Sequence, residues 1–142
     1  MNFDSTGLSN LISIARKLQD LNLEFEKDYD LSLMQWVVLG KLKDLPGCTA
    51  QTLANSLSMQ PSSLTQILKR LEKKKCIFIA SDPKDLRKKI LMLSREGKKR
   101  LDNLIPILEK NFGGLNFGPL VEIYESLNQT HNESSFNADS LF

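Results

Sequence analysis

The sequence predicts a mainly α chain with one small β-hairpin, and three observations carry that prediction. Apolar residues recur at three- and four-residue intervals through most of the first 127 positions, the period of an amphipathic helix. Between positions 76 and 93 this period gives way to two short apolar, β-branched runs around a charged loop containing Asp82-Pro83. The chain has 142 residues, 41% hydrophobic and 25% charged, which suits one compact domain able to bury a core.

Each element has its own local signal. Leu8, Leu11, Ile12, Ala15, Leu18, Leu21 and Phe25 draw one apolar face on a long first helix. Ser32 is a good N-cap for a second helix, in which Leu33, Trp36, Val37, Leu39, Leu42 and Leu45 predict burial on more than one side. Pro46-Gly47 ends it. Thr49 caps a short third helix with Leu53, Ala54 and Leu57 turned inward, and Ser58-Met59-Gln60 forms a tight turn. Pro61 is tolerated in the first turn of a fourth helix, whose single apolar stripe is Leu64, Ile67, Leu68 and Leu71.

Positions 76–80 and 89–93 form the two strands of the hairpin, with a basic tip between them. Ser94 starts a fifth helix with an inner face of Leu101, Leu104, Ile105, Leu108 and Phe112, kinked at Pro106. Gly113-Gly114 interrupts the pattern before a last helix bearing Leu120, Val121, Tyr124 and Leu127. From Asn128 onward the polar composition predicts a disordered tail, in which the sequons at Asn128 and Asn132 read as chance. The organisation expected is a first outer helix at 1–31, a central lobe of helices and hairpin at 32–94, further outer helices at 95–127 and a tail at 128–142.

Charge and composition exclude several function classes. The chain carries 19 Lys or Arg and 17 Asp or Glu, yet 13 of the basic and 4 of the acidic residues lie between Lys69 and Arg100. That segment has a balance of +9 against −7 for the remainder, the footprint of a polyanion-binding surface. Cys48, Cys76 and the single His131 give neither a disulfide framework nor a metal-ligand spacing, so no metal or cofactor is expected. Cys76 has cations nearby that favour a thiolate, but a buried structural cysteine is the simpler reading for both thiols. With no nucleophile paired to a base and no phosphate-cradling glycine loop, an enzyme is not expected. Nor does any apolar run reach the roughly 18 to 20 residues of a membrane span, and a cytoplasmic protein is expected.

Helix, tight turn, helix and hairpin in that order make a winged helix-turn-helix. In such a unit the second helix packs one stripe on the first and leaves its outer face free for the major groove. Opposite the Leu64–Leu71 stripe lie Ser62, Gln66, Lys69 and Lys73, flanked by Ser63, Thr65 and Arg70. Short hydroxyls and an amide occupy the end that meets base edges, and cations occupy the end that meets phosphates. At the hairpin tip Lys84, Arg87 and Lys88 extend the basic surface.

The motif Thr49-Ala50-Gln51-Thr52-Leu53-Ala54 is followed by Leu64-Thr65-Gln66-Ile67-Leu68-Lys69-Arg70-Leu71-Glu72 in the fourth helix. Asp82-Pro83-Lys84-Asp85-Leu86-Arg87 and Leu91-Met92-Leu93-Ser94-Arg95-Glu96-Gly97 complete the set. In this order they resemble the MarR family of winged-helix regulators, over roughly Leu8 to Leu127. The resemblance implies a homodimer in which the first and last two helices interlock, reading a pseudo-palindromic operator in double-stranded DNA as a transcriptional regulator, with repression the expected output. It also implies that Arg87 enters the minor groove while Asp85 supports the wing, and it adds a small-molecule effector that no residue identifies. The large apolar side chains on the outer helices independently favour a dimer. The alternative is a winged-helix architectural or protein-interaction module with little sequence preference. Three positions depart from the family pattern: Lys75 stands where a glycine usually follows the recognition helix, Ile79 where the wing often has arginine, and Gln60 where serine often caps.

Overall fold

The computed structural model describes residues 3–130. Its elements are α1 (Ser5–Tyr29), α2 (Leu33–Asp44), α3 (Ala50–Leu57), α4 (Pro61–Lys73), β1 (Ile77–Ser81), β2 (Lys89–Leu93), α5 (Arg95–Phe112) and α6 (Gly118–Thr130). The expected mainly α winged helix-turn-helix is therefore the observed fold. Helix α6 runs three residues past the expected start of the tail, whose remaining positions, 131–142, lie outside the described residues.

Side-chain caps set the helix starts, because each satisfies a backbone N–H that the first turn leaves orphaned. Ser32 Oγ accepts from the Gln35 amide at 3.1 Å while the Gln35 side chain accepts from the Ser32 amide, a complete capping box. Thr49 Oγ1 accepts from the Thr52 amide at 3.2 Å, and Ser94 Oγ from the Gly97 amide at 2.9 Å. Gln60 does not cap α4 with its side chain, and Pro61, lacking an N–H, reduces what that helix start has to satisfy.

The core lies where α2, α3, α4, the hairpin and α5 converge. Leu39, Leu42, Leu53, Leu64, Leu71, Ile77 and Leu91 are fully buried there, with Trp36, Leu68, Leu101 and Leu104 around them. β1 and β2 pair antiparallel from Ile77↔Leu93 to Ser81↔Lys89. A backbone bridge between Thr49 and Ile90 adds a third edge to the wing, with Leu91 N–H donating to Cys48 O at 2.8 Å and Gly47 N–H to Leu91 O at 3.0 Å. Gly47 sits at φ +74°, a conformation that suits a residue without Cβ.

The outer helices bury far less than their periodicity predicts. Of the α1 face, Phe25 is buried, Leu11, Ala15, Leu18 and Leu21 are half-buried, and Leu8 and Ile12 are exposed. Ile105 of α5 is exposed, Leu108 and Phe112 are half-buried, and Leu120, Val121 and Tyr124 of α6 are exposed. Val37 is also exposed, so α2 is enclosed by its neighbours on fewer sides than expected. Pro106 is exposed, and α5 continues through it to Phe112.

Lys75 lies at φ +62°, directly after α4, so the residue in the usual glycine position keeps a left-handed conformation despite its Cβ. Its amide donates to Glu72 O at 2.9 Å and its carbonyl accepts from Ser94 Oγ at 2.6 Å, which holds the turn in place. Lys75→Gly is expected to raise stability by about 1 kcal/mol, since the relieved strain exceeds the extra unfolded-chain freedom of glycine. Urea unfolding checks this, and a lower midpoint in the variant would refute the strain.

Candidate nucleic-acid interface

Leu64, Leu68 and Leu71 bury one face of α4, so the opposite face of that helix turns outward. Ser62, Thr65, Gln66, Lys69, Arg70 and Lys73 are exposed, and Ser63 is half-buried. Thr65 is partly committed: its hydroxyl donates to Pro61 O at 2.8 Å, leaving it free to accept but not to donate. Ser63, Gln66 and Arg70 also border a cavity of about 340 Å³, closed on its other side by Asn22 and Glu26 of α1 and by Ser32, Met34 and Gln35 at the start of α2.

The wing carries its cations on an ordered loop. Asp82 N–H donates to Lys88 O at 2.9 Å, and Lys88 N–H donates to Asp85 O at 2.9 Å. Asp82 Oδ1 accepts from the Lys84 amide at 2.9 Å, and Asp85 Oδ1 accepts from the Arg87 amide at 3.1 Å. Both aspartates thereby support the loop through backbone amides, and Asp85 does so without an ion pair to the Arg87 guanidinium. Lys84, Arg87 and Lys88 are exposed at the tip. Among the described residues the ion pairs involve Lys43, Lys74 and Arg100, so the cations of the α4 outer face and of the wing tip are uncompensated. An exposed polar row followed by unpaired cations can take a polyanion without first breaking internal salt bridges.

Within the basic run, Lys74 behaves differently from its neighbours. Its Nζ donates to Asp30 O and to Gln35 Oε1, the latter at 3.2 Å. The sequence carried a signal for this, because position 74 lies one helical step beyond Leu71 on the inner stripe. Cys76 is fully buried, and burial pushes its thiol up against the opposing pull of Arg100 and Lys74; burial likewise raises Cys48. The nearby cations therefore fail to produce a reactive thiolate. Among the described residues there is no cluster of His, Cys, Asp and Glu able to hold a metal, and no helix long and apolar enough to cross a membrane.

Comparisons with known proteins agree with this geometry. The sequence profile described as the MarR family matches residues 31–89, from the start of α2 into the wing. The HTH-type transcriptional repressor NicR of Pseudomonas putida is 31% identical over 100 residues, which cover 68% of this chain and 63% of NicR. The chain thus matches less than two thirds of that relative's length. A MepR-like protein, solved in complex with pseudoligands, superposes with a TM-score of 0.72 at 24% identity, covering 92% of this chain and 94% of that one. Staphylococcus aureus MepR in its DNA complex gives 0.68 at 21% identity, covering 91% and 97%. The profile spans the helix-turn-helix and wing, and the likeness of fold extends over the outer helices. Residues 31–89 thus carry the sequence pattern of the MarR family, within a fold shared with a MepR-like protein.

Proposed function

We propose that this protein is a sequence-specific DNA-binding transcriptional regulator that binds a pseudo-palindromic operator as a homodimer and represses. The observation that carries the reading is the outer face of α4, where Ser62, Gln66, Lys69 and Lys73 are exposed while Leu64, Leu68 and Leu71 anchor the helix from behind. Ser62, Ser63, Thr65 and Gln66 meet base edges in this reading, and Lys69, Arg70 and Lys73 meet phosphates. Lys84 and Lys88 hold the backbone beside the wing, where Arg87 enters the minor groove and Asp85 keeps the loop closed. Residues 1–31 and 95–127 serve dimerisation, and 32–94 form the DNA-binding lobe. The protein works in the cytoplasm, with the DNA, and catalysis forms no part of the reading. A small-molecule effector does, as the pseudoligands of the MepR-like neighbour suggest.

Two variants of α4 test the division of labour. Gln66 offers the donor and acceptor pair that matches adenine, so Gln66→Ala should relax preference at one or two base pairs per half-site, by about 1 to 3 kcal/mol on the preferred base. Lys73→Ala should weaken every sequence alike and lower the salt dependence. Base preferences that are unchanged in Gln66→Ala would show that this residue reads nothing.

At the wing, Arg87→Ala should reduce affinity and erase A·T preference in the sequence flanking each half-site, leaving the dimer intact. A·T-rich DNA narrows the minor groove and deepens its negative potential, which favours a guanidinium. Arg87→Lys should recover part of the loss, because an ammonium is more strongly hydrated. Binding selections on the two variants decide the matter, and wild-type affinity with wild-type flank preference in Arg87→Ala would remove the minor-groove role.

A further inference from the structure

We propose that Lys74 and Asp30 form the joint that fixes the recognition helix to the dimerisation helix, and that this joint sets which spacing between operator half-sites the dimer accepts. The inference rests on the dimeric DNA-binding reading above.

Four elements meet at this point. Asp30 ends α1 in a left-handed conformation at φ +58°, with its amide donating to Glu26 O at 3.0 Å. Lys74 is the C-cap residue of α4, held by its amide to Arg70 O at 3.0 Å. From there its Nζ reaches the Asp30 carbonyl, the Gln35 side-chain oxygen and, at 3.6 Å, the Asp30 carboxylate. Gln35 is buried, and the same oxygen accepts from the Ser32 amide as part of the α2 capping box. From α5, Arg100 Nη1 lies 3.9 Å from the other Asp30 carboxylate oxygen and is buried without a hydrogen-bond partner, while its Nε bonds Glu96 at 3.2 Å. Asp30 thus stands between a cation of the recognition helix and a cation of α5.

The Lys74 side chain is 24% exposed whereas the Asp30 carboxylate side is 75% exposed. A carboxylate pair at such an exposed position adds little stability by itself. Directed hydrogen bonds from an ammonium to a carbonyl and to a buried amide oxygen are stronger and fix orientation. The joint's value therefore lies in geometry more than in folding energy. Helix α4 is about 20 Å long at 1.5 Å per residue, so a tilt of roughly 5° about its C-terminal end moves its base-reading end by nearly 2 Å. Two-fold symmetry doubles the change in helix separation, to about the 3.4 Å rise of one base pair. Loosening the joint should let the dimer accept neighbouring spacings.

The experiment uses the full chain and DNA sites selected by the wild-type protein from a random pool, rebuilt with one or two base pairs added or removed between half-sites. Wild type and Lys74→Arg should prefer the selected spacing by tenfold or more. Lys74→Met, which keeps the aliphatic stem, should lower that discrimination below about threefold while half-site base preference and salt dependence stay unchanged. A wild-type spacing profile in Lys74→Met overturns the joint, as does a salt slope reduced by about one per protomer, which would make Lys74 a phosphate contact. Should Lys74→Met not fold, Lys74→Gln keeps a polar end but lacks the ammonium and the length to reach the Asp30 carbonyl and Gln35 together, and it should weaken spacing discrimination at least threefold; no change there also overturns the joint. A wild-type protein indifferent to spacing overturns the dimeric-operator reading itself.

Discussion

Val121→Asp is expected to leave a folded monomer at micromolar concentration and to lower affinity for a two-half-site operator by at least a hundredfold. Val121 is exposed on α6, beside Leu120, Ile123 and Tyr124, and Leu8, Ile12 and Leu23 are exposed on α1. Exposed apolar side chains on these two helices suit the dimer interface proposed above, and removing them from water stabilises association by about 25 cal/mol per Å². A carboxylate placed inside such an interface must be desolvated without a partner, which costs several kcal/mol. The lobe itself should survive, because the core of α2 to α5 does not include Val121. DNA affinity falls because each half-site must then be found independently, without the effective concentration that the linked second lobe supplies. Sedimentation and operator titration on one sample check this, and a dimer of wild-type affinity would show that α6 does not form the interface.

Gly97→Ala should lower stability by about 3 kcal/mol, equivalent to roughly 10 °C in midpoint, and should displace the wing. Gly97 is buried in the first turn of α5, where an added Cβ would lie 2.1 Å from Cys76 O and 2.9 Å from Leu93 Cδ1. The obstacle is backbone, so a rotamer change cannot remove it. Cys76 O already accepts from the Ser94 amide at 2.9 Å, and Ser94 Oγ donates to Lys75 O while capping α5. Moving α5 away to admit the methyl would break that stitch between the end of α4 and the end of the wing. Gly40 supplies the contrast: in α2 its added Cβ meets nothing within 4 Å, so Gly40→Ala should stabilise by about 1 kcal/mol. Thermal unfolding of both variants separates them by sign, and equal midpoints would contradict the packing described.

What could be read from the sequence follows from which interactions are local. The Ser32, Thr49 and Ser94 caps act on amides three residues away, so their signal is complete within a few positions. The α4 stripe was legible for the same reason, since Leu64, Leu68 and Leu71 are one turn apart and share one buried face. Burial of the outer helices was not legible, because periodicity shows which face is apolar without showing what covers it. Val37 illustrates this: its apolar side chain fits a buried helix, yet it is exposed among the described residues. Lys74 sits in a basic run like a phosphate contact, but its partners are 44 and 39 residues distant and emerge only from the tertiary fold. The Thr49↔Ile90 bridge, which adds the third edge to the wing, is hidden by the same long separation.

Binding selection from a random DNA pool, followed by titration of selected and random duplexes at one salt concentration, tests the central claim most directly. Phosphate contacts bind both duplexes, so the difference isolates sequence reading by α4 and the wing. The expected result is an inverted repeat whose half-sites lie about one helical turn, roughly 34 Å, apart, bound at least a thousandfold more tightly than random DNA. Selected sites without dyad symmetry, bound no more than tenfold better than random sequence, would contradict it.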